Sequence, residues 1–288
     1  MKLYKIQDGV VLHRAKDYYI LAHEWDSLIN RDGLYTYLMK MAEKADKLSG
    51  ETFTQLLKSE LLPPIGQQEV WAAGVTYLRS REARMEESSQ SGGADFYDKV
   101  YEAERPELFF KALAHRVAGP GQQVYIRRDS TWNVPEPELT LFISSSGEIQ
   151  AYTIGNDMSS RSIEGENPLY LPQAKVYEKS AALGPCLYVP ESKIDPGSMI
   201  EMVIRRGGSV VFKDEVSINR MKRTHKELAE YLFRECDFPH GVFLMTGTCI
   251  VPSPDFTLQP EDWVDIGINQ IGVLSNFIGY KNSRNPTL

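Results

Sequence analysis

The residues best placed to do chemistry lie in Val134-Pro135-Glu136-Pro137-Glu138-Leu139 and in the segment that follows it. Side chains alternate along a strand, so Glu136 and Glu138 share a face, and Pro137 between them argues against a helix. The Ser-Ser-Ser-Gly cluster at 144–147 predicts a turn, and residues 148–154 predict the returning strand of a hairpin. Folding that hairpin about Ser145-Ser146 sets Asp157 roughly opposite Glu136, so the carboxylates of Glu136, Glu138 and Asp157 are expected to converge. Carboxylates brought together away from water repel, and a bound divalent cation resolves the repulsion. Oxygen-only ligands favour Mg²⁺, with Mn²⁺ or Ca²⁺ as alternatives, over Zn²⁺. The competing reading is that charge and proline merely blunt an exposed edge strand. Spacing alone does not separate the two.

Other candidates flank this stretch. Pro106-Glu107-Leu108-Phe109-Phe110-Lys111 sets Glu107 and Lys111 beside an aromatic pair, and burial would tune either charge for catalysis. Arg79-Ser80-Arg81 follows directly on a predicted buried strand over 70–77, which suits an anionic ligand; a solvated helix face over 79–87 is the alternative. The Ser/Gly-rich stretch at 88–95 is expected to be a mobile loop that orders over the substrate.

The elements that must position these groups form an α+β pattern. Residues 1–65 read as a small α/β domain: strands within 3–12 and 18–21, a helix with Leu34, Leu38, Met41, Ala42 and Ala45 on one face, and a second with Phe53, Leu56, Leu57 and Leu61. Pro63-Pro64 closes it, and residues 66–288 read as a β-rich catalytic domain. Thr224-His225-Lys226-Glu227 predicts a capping box, which makes His225 structural, and 263–268 reads as an outer strand. The chain of 288 residues, 42% hydrophobic, is large enough for one big domain and a small one. A net charge of -7 argues against nucleic acid as a partner. The 3 cysteines are widely spaced with no CxxC, so neither a disulfide framework nor a zinc site is expected. No apolar run is long enough to span a bilayer, and a cytoplasmic protein is expected.

The ordered set Gly-Val-Thr-Tyr (74–77), Pro-Glu-Leu-Phe-Phe-Lys (106–111), Glu-Pro-Glu-Leu (136–139), Tyr-Thr-Ile-Gly-Asn-Asp (152–157), Lys175, Leu-Gly-Pro (183–185) and Thr-Gly-Thr (246–248) resembles the fumarylacetoacetate hydrolase family. The resemblance covers roughly residues 66–280. It implies a mixed β-roll or β-sandwich, a homodimer or homotetramer, and a cation held by Glu136, Glu138 and Asp157. It also implies that Thr248 and the backbone around Gly247 bind the carboxylate of a 2-oxo acid, with Arg79, Ser80 and Lys111 as further contacts.

One departure matters. Hydrolytic members carry a histidine three residues after the tyrosine of the first motif, where this chain has Ser80. Residues 163–175 and Tyr77-x-Arg79-Ser80-Arg81 instead resemble the branch that dehydrates 2-keto-3-deoxy-D-arabinonate. That branch implies loss of a C3 proton and then of the C4 hydroxyl, with tautomerisation of the dehydrated product giving 2,5-dioxopentanoate. Lys175 is the candidate base and Glu107 the candidate acid or water-positioning group, with the reverse assignment open. An acylpyruvate or diketo-acid hydrolase, or a non-catalytic metal- and ligand-binding protein, are the alternatives.

Overall fold

The computed structural model describes residues 1–79 and 99–282. Its centre is an 11-stranded sheet in which the predicted hairpin occupies the middle. Strand Pro137–Ile143 pairs antiparallel with Ile149–Asp157 on one side and with Val242–Met245 on the other. The strand is interior to the sheet and buried along its whole length, with Glu136 and Glu138 buried too, which disposes of the edge-blunting reading of Glu136-Pro137-Glu138. Ser144 and Glu148 close the hairpin turn through a backbone bond of 2.9 Å.

Beyond the hairpin, Val242–Met245 runs parallel to Glu69–Gly74, which pairs antiparallel with Glu107–Leu113. In the other direction Ile149–Asp157 pairs with Ala181–Tyr188. The expected N-terminal strand is two, Lys2–Ile6 and Gly9–Arg14, joined by a tight turn. Lys2–Ile6 pairs with Ala181–Tyr188, so the strands of residues 1–65 extend the same sheet that carries the carboxylates.

Alternation along Pro137–Ile143 explains how the layers stack. Leu139, Leu141 and Ile143 enter a core with Met202, Ile204, Ile266 and Leu274, which belong to a 5-stranded sheet packed on that face. Phe142 points the other way, into a core with Phe243 and with Trp25, Leu28, Leu34 and Leu38 of helices Trp25–Ile29 and Leu34–Ala42. Burying each such side chain contributes about 1.5–3 kcal/mol before the entropy of ordering is counted. Strand Trp263–Ile268 is interior to the 5-stranded sheet, paired with Met199–Arg206 and Gly272–Tyr280 rather than at its margin as its sequence suggests. Its apolar residues alternate with half-exposed ones, which is the signature of a sheet buried on one face, not of an edge.

Helix His225–Leu232 starts with the predicted capping box on Thr224 and Glu227. Among the described residues, no helix is long and apolar enough to cross a membrane. The stretch 88–95 and Ser80 lie outside the described residues.

Candidate active site

Four strand ends meet at one end of the large sheet. They are the start of Pro137–Ile143 and the ends of Ile149–Asp157, Val242–Met245 and Glu69–Gly74. The hairpin register places Pro137 beside Asn156 and Glu138 beside Gly155. The Asp157 amide donates to the Glu136 carbonyl at 2.9 Å, so Glu136 and Asp157 face each other, the approximate register of the fold-over being made exact by the bulge between Phe142 and Ile143. Glu136, Glu138 and Asp157 are all buried, with a carboxylate oxygen from each within 4.8 Å of the others.

Cations surround two of these carboxylates. Lys175, the last residue of helix Leu171–Lys175 and fully buried, donates to Glu136 Oε2 at 2.5 Å and to Asp157 Oδ2 at 3.2 Å. Arg161, also buried, takes the other Glu136 oxygen at 2.7 Å. Lys111 pairs with Asp157 Oδ1 at 2.5 Å and donates to the carbonyls of Met158 and Lys175 at 2.9 and 2.6 Å. Burial pushes the Asp157 carboxyl up, but the Lys111 and Lys175 ammoniums outweigh it and hold the pKa below the usual range. Burial depresses the Lys111 ammonium, against the opposing pull of Asp157.

Glu138 is different. Among the described residues no cationic side chain pairs with it; it accepts the Gly247 amide at 2.5 Å. Burial first, then the charges of Asp157 and Glu136, hold its pKa well above the ordinary carboxylate value. A buried, all-oxygen cluster in which one carboxylate lacks a counter-charge fits a hard divalent cation. Glu136, Glu138 and Asp157 are the residues that would hold it.

Of the remaining candidates, Gly247 and Thr248 line a narrow cleft together with Gly74, Val75, Phe109, Lys175 and the carboxylates. Glu107 sits opposite Gly74 in the strand pairing, and its carboxylate occupies the space where a Gly74 side chain would stand, 2.0 Å from an ideal Cβ. Thr248 is almost wholly buried at the cleft, its hydroxyl shared with the Ile250 backbone. The Gly247 amide, expected to meet substrate, is directed at Glu138 instead. Lys111 likewise lies beneath the cluster with its three contacts inside the protein, not at the cleft surface. Arg79 is half-buried at the limit of the described segment.

Arg161 was not visible as a site residue from spacing. Its one signal is a lone cation four positions after Asp157, in a run of Met158, Ser159 and Ser160 that the fold buries completely.

The fumarylacetoacetate (FAA) hydrolase C-terminal family model matches residues 70–278. A probable 2-keto-3-deoxyxylonate dehydratase of Haloferax volcanii is 49% identical over 216 residues, 75% of this chain and 73% of that protein. The 2-dehydro-3-deoxy-D-arabinonate dehydratase of Saccharolobus solfataricus is 41% identical over 249 residues, 82% of this chain and 84% of that protein. A solved 2-keto-3-deoxy-D-arabinonate dehydratase complexed with magnesium and 2,5-dioxopentanoate superposes with a TM-score of 0.83 at 34% identity, covering 98% of this chain and 100% of its own. The motifs of the cleft, the sheet that assembles them and a family match spanning most of the sequence agree: the chain belongs to the fumarylacetoacetate hydrolase family.

Proposed function

We propose that this protein is a Mg²⁺-dependent hydro-lyase that converts a 2-keto-3-deoxy sugar acid, 2-dehydro-3-deoxy-D-arabinonate, to 2,5-dioxopentanoate. The observation that carries the reading is Lys175: a fully buried amine in hydrogen-bonding distance of two carboxylates of the cluster, on the wall of the cleft. Dehydratases among the relatives support the same reaction class.

When bound, the cation supplies positive charge where the keto oxygen of a 2-oxo acid gains negative charge. Lys175 removes the C3 proton, its ammonium then held by Glu136 and Asp157. Glu107, whose carboxylate fills the space beside Gly74, donates the proton that lets the C4 hydroxyl leave as water, and tautomerisation of the resulting enone, with loss of a C5 hydrogen and reprotonation at C3 and C4, gives 2,5-dioxopentanoate. Thr248 faces the substrate carboxylate. Arg161 and Lys111 keep Glu136 and Asp157 in place through charge-assisted bonds.

The test is turnover of 2-dehydro-3-deoxy-D-arabinonate with Mg²⁺, read as release of the semialdehyde, beside an acylpyruvate. Turnover of the acylpyruvate alone would refute dehydration, and turnover of neither despite tight Mg²⁺ binding would favour a ligand-binding protein. Lys175→Met should bind a 2-oxo acid yet lose exchange of C3 hydrogen with deuterated water by ~10²–10⁴-fold, the usual loss for a general base. Glu107→Gln should keep that exchange and block hydroxyl loss. The opposite pattern would reverse the two roles.

A further inference from the structure

We infer that Thr76 is a positioning residue for Glu138, acting through a single peptide unit, Thr246–Gly247. The inference rests on the reading of Glu138 as a cation ligand. Strands Glu69–Gly74 and Val242–Met245 are parallel neighbours with Ala72 beside Met245, so both chains leave the sheet side by side at the cleft. Each bends at once into the left-handed region, Val75 at φ 51° and Gly247 at φ 95°. Such a conformation is disfavoured for a β-branched residue, and its occurrence at Val75 on the cleft wall marks a bend the surroundings enforce.

The bend turns Thr76, fully buried, back toward the second chain. Its hydroxyl donates to the Thr246 carbonyl at 2.7 Å, and its own carbonyl accepts the Lys222 amide at 2.9 Å. The peptide whose oxygen Thr76 holds is the same one whose N–H donates to Glu138. A peptide unit is planar, so fixing its oxygen fixes the direction of its N–H. Without that hold the bond preceding a glycine has room to rotate, and Gly247 tolerates φ values that other residues do not. The fit is close enough that a Cβ on Gly247 would lie 2.0 Å from the Thr76 hydroxyl and 3.0 Å from the Ala73 carbonyl. Glu138 is the carboxylate with no cationic partner among the described residues, so the aim of this one amide decides where its oxygens point.

Thr76→Val removes the hydroxyl and keeps the shape; Thr76→Ser keeps the hydroxyl. Two quantities are read: hydrogen exchange of the Gly247 amide by NMR in metal-free protein, and Mg²⁺ affinity by calorimetry. Thr76→Val should speed Gly247 exchange and weaken Mg²⁺ by about 10–100-fold, the usual cost of losing an outer partner of a metal ligand. Thr76→Ser should restore both to near the wild-type values. If valine disturbs packing, Thr76→Ala gives the same reading. Unchanged Gly247 exchange in Thr76→Val, or faster exchange with wild-type Mg²⁺ affinity, would overturn the inference. Failure of the wild-type protein to bind Mg²⁺ would refute the proposed function instead, while the exchange measurement would still decide whether Thr76 holds the peptide.

Discussion

Replacing Lys111 with methionine separates a group that supports the cluster from one that touches substrate. Methionine keeps the apolar stem and removes the ammonium, which is fully buried and bonded to Asp157, the Met158 carbonyl and the Lys175 carbonyl. Breaking a buried ion pair by deleting one partner costs about 3–5 kcal/mol, because the surviving charge is left uncompensated. The two carbonyls add about 1–3 kcal/mol each if no water replaces the donor. Against this stands relief of the burial penalty that depresses the Lys111 pKa and of its repulsion by Lys175. Asp157 also keeps Lys175 as a partner. A net loss of about 3–5 kcal/mol is expected, seen in urea unfolding at pH 7 or as a fall in Tm on the order of 10 °C. The sign of the pH dependence provides a second check. The folded Asp157 pKa is depressed, so its contribution is present above the ordinary value of 3.8 and is lost as pH falls below it. Removing Lys111 raises that folded pKa, so the gap between wild type and Lys111→Met should narrow below pH 3.8. A change under about 1 kcal/mol accompanied by a large rise in KM would refute the supporting role and return Lys111 to the substrate contacts that its sequence context suggested.

Glu138→Gln should abolish tight Mg²⁺ binding while leaving the metal-free protein as stable as wild type or more so; its folded pKa is raised, so ionisation costs stability as pH climbs above the ordinary 4.5. Calorimetric unfolding across that range, with the wild type showing no such decline relative to the variant, would contradict it. His225 is pushed down to about 4 by burial, so the unfolded chain binds its proton first and stability falls as pH drops from 6.5 toward 4. The loss should approach ~3 kcal/mol at ~1.4 kcal/mol per unit, and His225→Phe should flatten it; equal slopes in the two proteins would count against the assignment.

Much of the site was legible because it is local in sequence. The Glu136-Pro137-Glu138 repeat, the serine-rich turn and Asp157 form one hairpin, so Glu136 and Asp157 are near each other in register, and the bulge between Phe142 and Ile143 sets them directly opposite. The capping box at Thr224 was legible for the same reason: each partner lies within one helical turn of the other. Composition and alternation likewise indicated a β-dominated α+β chain. What alternation does not carry is which strands become neighbours. Strand Trp263–Ile268 could not be told from an edge, nor the N-terminal strands from a separate sheet, because lateral pairing depends on distant segments. The same limit applies to the site. Lys111, Arg161 and Lys175 are dispersed through the chain, and whether each meets a carboxylate, a carbonyl or the cleft is decided only when the sheet stacks its strand ends. Whether Glu138 is charged, and whether the Gly247 amide faces it, are decided there too. Desolvation and hydrogen-bond direction arise from packing in three dimensions, and residue spacing encodes neither.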